Sequence, residues 1–216
     1  MSSSAQYAVT PKIGFGQVTT GDTSRTAPTA GNVAYVFPSG QNGSRIDHIS
    51  LEGVGNTAAS LVRLFLVPGN VGAVIASITF SGTTATVTTT TSHGLSTGTL
   101  ITQQAAFPFN YNVTNVAITV TGLTTFTYTM ASAPTINATA VGYYISTPAA
   151  PAYELWQEIV VPVITATPPT AAYSSNLSTA GQPSFMPLWL PAGWSLRATV
   201  NDTQIGINVF ANGGDF

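Results

Sequence analysis

Between Arg63 and Glu154 the chain has no Lys, Arg, Asp or Glu. The only side chain in that interval that titrates near neutral pH is His93. Charged residues make up 6% of the sequence, against about 25% in ordinary soluble domains. Most enzyme chemistry needs a positioned acid, base, metal ligand or phosphate clamp. This sequence is short of all four, so it reads as a non-enzyme with no cofactor and no metal.

Cysteine is absent, which excludes a disulfide framework, thiolate chemistry and a Cys-bound zinc. Five cations, Lys12, Arg25, Arg45, Arg63 and Arg197, are scattered rather than clustered. A nucleic-acid partner is therefore not expected, since phosphates need Lys and Arg gathered on one face. No apolar run approaches the length of a membrane helix, and the opening MSSSAQYAVT lacks the basic and apolar regions of a signal peptide. The expectation is a chain made in a cytoplasm, with no membrane partner.

What is present points to strands. The chain is 44% hydrophobic and rich in Thr, Val and Ile, with twenty Gly and fourteen Pro to supply turns. No segment holds helix formers at 3.6-residue spacing for more than a turn or two. The fold class is all-β. Residues 1–30, with Pro11, Gly14, Gly16, Gly21 and Pro28, read as an N-terminal arm with one short strand near Ile13–Val18. Strands follow at Val33–Phe37, Arg45–Glu52 and Leu61–Val67. The last of these alternates Val62, Leu64 and Leu66 against Arg63.

After Pro68-Gly69-Asn70 the texture turns Thr-rich and uncharged, and it reverts after Thr147-Pro148-Ala149-Ala150-Pro151. Residues 75–146 read as a small β-barrel domain. It is inserted into a discontinuous, jelly-roll-like β-sandwich made of residues 31–74 plus 147–216. The second half of that sandwich has strands at Tyr153–Val163, Phe185–Leu190, Trp194–Val200 and Gln204–Phe210, with a long loop over 166–183.

Candidate chemistry is sparse. His93, in His93-Gly94-Leu95-Ser96-Thr97-Gly98, reads as a turn residue bonded to local backbone, because no other metal ligand or acid lies nearby in sequence. Asp47, His48 and Ser50 fail as a triad, since neighbours on a strand point to opposite faces. Glu154 and Glu158 fall about 13 Å apart on an extended strand, too far for glycoside cleavage. Asp22, Asp202 and Asp215 form no calcium loop. Asn-x-Ser/Thr matches at Asn42, Asn112, Asn137, Asn176 and Asn201 mean little without a secretory signal. Trp156, Trp189 and Trp194 are expected to fill the sandwich. Phe107, Phe109 and Tyr111 are expected to pack their own loop, with stacking on sugar as the alternative.

Ala85–Phe126 resembles a module common in tailed-phage structural proteins. The shared features are Ala85-Thr86-Val87-Thr88, His93 to Gly98, Asn110-Tyr111-Asn112 and Thr125-Phe126-Thr127-Tyr128. It is similar to the small non-catalytic barrel known as the first catalytic cysteine half-domain of ubiquitin-activating enzymes. Thr99 stands where usual members carry an acid. The flanks, Gly40 to Asp47, Val62 to Leu66, Leu190 to Leu196 and Asn208 to Phe216, resemble small phage virion proteins. Those are of the head-decoration (cement) or tail-associated kind.

The resemblance implies a capsid decoration protein on the virion exterior. It would bind the major capsid protein, stabilise the assembled shell and self-associate as a homotrimer. The alternative is a tail or fibre protein that recognises a host surface glycan.

Overall fold

The computed structural model describes residues 10–54, 58–148, 150–163, 174–176, 187–204 and 206–216. Among them are seventeen strands. The first five are β1 (Thr10–Val18), β2 (Ala34–Pro38), β3 (Ser44–Gly53), β4 (Ser60–Val67) and β5 (Asn70–Val71). Then come β6 (Ile75–Ser81), β7 (Thr84–Thr89), β8 (Leu100–Phe107), β9 (Val113–Ala117), β10 (Thr119–Val120), β11 (Thr125–Thr129) and β12 (Ala140–Thr147). The chain ends with β13 (Glu154–Val161), β14 (Ser174–Asn176), β15 (Leu188–Leu190), β16 (Ser195–Val200) and β17 (Ile207–Asp215). Among the described residues the helical pieces are two short 3-10 turns, Ala30–Asn32 and Phe109–Tyr111. The protein is all-β, with four antiparallel sheets.

The chain divides into two compact units. The first is Met1–Pro68 with Ala152–Phe216, and the second is Gly69–Pro151. The second unit thus starts earlier and ends later than the sequence boundaries of 75 and 146. Pairing explains the shift: β5 joins β12, and the Gly72 N–H donates to the Tyr144 carbonyl at 2.8 Å.

In the first unit, one sheet runs β1-β17-β3-β14, with β15 also on β3, and the other runs β13-β4-β16-β2. Both contribute to one apolar core. Ile46, Ile49, Leu51, Val209 and Ala211 come from the first sheet, and Val62, Leu64, Leu196, Ala198 and Phe37 from the second.

Residues 10–30 are not a free arm. β1 pairs with β17 along all nine residues, from Thr10 with Asp215 to Val18 with Ile207. Its inward positions include Gly14, Gly16 and the core residue Val18, and a Cβ on Gly14 would lie 2.3 Å from the Val36 carbonyl oxygen. Glycine there lets β2 of the facing sheet approach closely. The large side chains of β1 therefore point outward: Ile13 is 76% exposed and Phe15 53%.

Residues 19–32 then cross to the second sheet. The Asp22 N–H donates to the Val200 carbonyl, and the Asp22 carbonyl accepts from Arg63 Nη1 at 2.9 Å. Arg63 lies on the face opposite Val62 and Leu64, so this loop lies over the outer side of that sheet.

The second unit also has two sheets, β10-β11-β7-β6 and β5-β12-β8-β9. They share a core of Ile78, Val87, Ile101, Tyr111, Phe126, Tyr128 and Tyr144. β9 and β10 are separated at Ile118, which is buried and whose N–H donates to the Thr99 carbonyl. Most of the loop 166–183 lies outside the described residues, though β14 falls within it.

Candidate functional site

His93 bridges two turns of the second unit. Its Nδ1 accepts the Leu95 N–H at 3.0 Å, and its Nε2 lies 3.0 Å from the Gly122 carbonyl oxygen. A carbonyl only accepts, so Nε2 carries the proton and the ring is the neutral Nε2–H tautomer. The ring also packs edge-on to Phe126, with centroids 5.4 Å apart. Both nitrogens are committed to backbone, and the ring has none left to hold a metal or take a substrate proton.

Asp47 and His48 do not alternate as a regular strand would have them. In the β17–β3 pairing the register passes from Asn212 with His48 to Gly213 with Ile46. Asp47 is therefore the extra residue of a bulge. Ile46 and Ile49 turn into the core, while Asp47 and His48 both lie on the solvent side. The alternation argument fails here, but no triad results, because the Asp47 carboxylate pairs with Arg45 Nε at 2.7 Å.

Glu154 and Glu158 have separate fates. Glu154 is exposed, opposite Leu66. Glu158 accepts from Arg25 Nε and Nη2 at 2.8 and 3.0 Å, and from Arg63 Nε at 2.8 Å. Those hydrogen bonds, from Arg25 first and then Arg63, hold Glu158 below the usual carboxylate range. A glycosidase acid needs the opposite shift, so this carboxylate is a tie and not a proton donor. It anchors loop 19–32 across β13 and β4.

Asp22, Asp202 and Asp215 do not converge. Asp22 is buried and accepts the N–H groups of Ser24 and Thr29 at 2.9 and 2.7 Å. Burial pushes its pKa up, but the bonds from Thr29 and Ser24 outweigh that and bring it below the ordinary value. Asp202 is exposed in the turn after β16. Asp215 accepts from Lys12 Nζ at 3.2 Å and from the Ser44 hydroxyl, closing β1 onto β17 and β3. Burial lowers the Lys12 pKa despite that partner, and its ammonium lies 5.3 Å from the centre of the Phe37 ring. Among the described residues no three His, Asp or Glu gather as a metal site.

The aromatic residues divide by face. Trp156 and Trp194 pack against the first core, as expected. Trp189 does not: it is 54% exposed and stacks on Phe216, with centroids 5.1 Å apart. Leu188 and Leu190 take the inward positions of β15, so period 2 sends Trp189 out. Tyr111 is fully buried and gives its hydroxyl to the Ile136 carbonyl. Phe107 and Phe109 are 50% and 76% exposed, which corrects the expectation that all three aromatics pack their own loop.

Arg197 was not singled out in the sequence. It is 2% exposed, donates to the Ser195 hydroxyl, and lies over the Tyr35 ring at 4.8 Å. Two surfaces stand out for contact: the outward Ile13 and Phe15, with Phe210 at 5.2 Å from Phe15, and the Phe107–Phe109 pair. No known protein family, curated protein or solved structure matches the chain.

Proposed function

We propose that this protein is a phage capsid decoration protein that binds the assembled head shell and stabilises it. The reading rests first on the phage-like segments of the sequence. The observation that carries it into the fold is β1, which has glycine at two of its inward positions and whose Ile13 and Phe15 face outward at the rim of a sheet. An edge strand presents unpaired backbone groups, and soluble proteins usually guard it with charge. Here the one cation on β1, Lys12, is turned inward to Asp215. An apolar, unguarded edge fits a surface that another subunit covers.

In this reading the first unit is a jelly-roll-like sandwich that self-associates as a homotrimer, and the second is an inserted small barrel. Stabilisation follows from mass action, since a ligand that binds only the assembled shell favours assembly over free subunits. The partner is the major capsid protein, and the site is the virion exterior.

Sedimentation of the purified chain with empty shells tests the reading. Saturable binding is expected in hundreds of copies per shell, with a rise in shell melting temperature. Ile13→Asp with Phe15→Asp is expected to weaken binding or subunit association. Failure to bind shells, or a copy number of a few per virion, overturns it.

A further inference from the structure

The β8–β9 connection buries Tyr111 and leaves two phenyl rings outside. Phe107 and Phe109 stand edge to face, with centroids 5.7 Å apart and planes at 81°. The loop that bears them is held, not loose. The Asn110 amide donates to the Ser132 hydroxyl at 2.8 Å. The Thr139 N–H donates to the Phe107 carbonyl at 2.9 Å, and the Asn112 side chain bonds both backbone groups of Ala106. These bonds set residues 132–139 beside the rings, where Ser132, Asn137 and Thr139 are exposed.

The rings are thus flanked by neutral hydroxyls and amides. The whole of Gly69–Pro151 has no Lys, Arg, Asp or Glu. A surface with no formal charge offers a charged ligand neither steering nor an ion pair, so a neutral ligand is its better complement. The negative face of an aromatic ring favours the polarised C–H face of a sugar, whose hydroxyls then meet side-chain donors and acceptors.

We propose that Phe109, braced edge-on by Phe107, is a stacking platform for a neutral pyranose-based glycan, oriented by Asn110, Ser132, Asn137 and Thr139. The site does not depend on shell binding, and its test needs no shell.

The full chain is applied to an array of neutral, sialylated and sulfated glycans. The best neutral glycan is then titrated by calorimetry at low and high salt. Binding to neutral glycans is expected, with affinity unchanged by salt. Phe109→Ala and Phe109→Leu are expected to weaken it about tenfold or more. Phe109→Tyr retains the ring and should retain binding. Leu123→Ser alters another exposed apolar residue of the same unit and should leave affinity unchanged.

Melting curves of each variant establish that it is folded. The proposal is overturned if no neutral glycan binds, if binding is confined to anionic glycans, or if folded Phe109→Leu binds as tightly as the parent. It is equally overturned if the rings capture only an apolar protein segment.

Discussion

The five Lys and Arg and the seven Asp and Glu of the chain all lie in the first unit, and the second has none. Both units nevertheless pair strands in two sheets around one apolar core. The difference lies in how they tie down what is not strand. The first unit uses ions: Arg25 and Arg63 on Glu158, Lys12 on Asp215, and Asp22 as acceptor for its own loop. The second uses hydroxyls and one imidazole. Tyr128 donates to the Tyr111 carbonyl at 2.7 Å, Thr89 Oγ1 to the Thr91 carbonyl, and Thr97 accepts the Val120 N–H. Neutral ties avoid the desolvation that charges incur on burial. Solubility of the second unit then rests on Thr, Ser and Asn, since no charge repels its neighbours.

Backbone geometry should break each unit separately, and with the largest effects. Gly142 has φ +57°, and a Cβ there would lie 1.9 Å from the Gln104 carbonyl oxygen. Gly213 sits opposite the Asp47 bulge, where a Cβ would lie 2.0 Å from the Arg45 carbonyl oxygen. Gly142→Ala is expected to destabilise the second unit by about 3 kcal/mol or more, and Gly213→Ala to do the same in the first. Urea titrations followed by Trp fluorescence separate the two, because Trp156, Trp189 and Trp194 all belong to the first unit. Gly213→Ala should lower the midpoint seen by Trp. A loss of only a few tenths in either variant would show that the close approach relaxes.

Acid should sharpen the comparison next. Glu158 and Asp22 have folded pKa values below their ordinary ones of 4.5 and 3.8. Stability from such groups is fully present above the unfolded pKa and is lost as pH falls through the folded one. The first unit should therefore weaken from about pH 4.5 downward. The second has no carboxylate side chain to protonate. Glu158→Gln should flatten the acid loss, and a first unit whose stability stays level down to pH 2.5 would sink the argument. Glu158→Gln also leaves Arg63, 5% exposed, without its carboxylate, so its neutral-pH melting temperature should fall too.

His93→Ala tests the imidazole tie of the second unit. It removes an acceptor for the Leu95 N–H and a donor to the Gly122 carbonyl, and should cost about 1–2 kcal/mol. Shell binding should not change, because neither nitrogen is free for chemistry. Loss of binding in a variant that is still folded would overturn that.

Much of this was legible along the chain where one strand decides the pattern. Val62, Leu64 and Leu66 against Arg63 named the core-facing side of β4, though Arg63 and Phe65 on its other side are buried too, and the change of texture after Pro68 marked a compositional boundary. What escaped needs a partner far away in sequence. The tie from Arg25 to Glu158 spans 133 positions and that from Arg63 to Glu158 spans 95. The bulge at Asp47 depends on Gly213, and the last strand, expected to end at Phe210, runs on through Gly213 and Gly214 to Asp215. The strand expected near Ile13–Val18 is there, but it starts at Thr10 and belongs to a sheet, because Gly14 and Gly16 lie on its inward side, pressed against β2. At Phe107 and Phe109 the sequence shows only that aromatics are present. Of the three aromatics in that loop, Tyr111 joins the core and the two phenyl rings stay outside.

The smallest effect on stability is expected at the same β1 rim that should matter most for association. Phe15 touches Phe210 at 5.2 Å across the β1–β17 pair but keeps half its surface in water. Phe15→Thr keeps a strand-favouring residue and loses only that ring contact, so the cost to the fold should stay within about 1 kcal/mol. If another subunit covers the rim, the same change removes a buried aromatic from the interface, where such residues carry much of the binding energy. Sedimentation velocity at several concentrations, paired with melting curves, reads the two effects apart. The expected result is a nearly unchanged melting temperature with a clear shift toward monomer. A parent chain that stays monomeric at every concentration, and binds shells equally well with Thr at this position, would mean that the outward Phe15 serves only its neighbour Phe210.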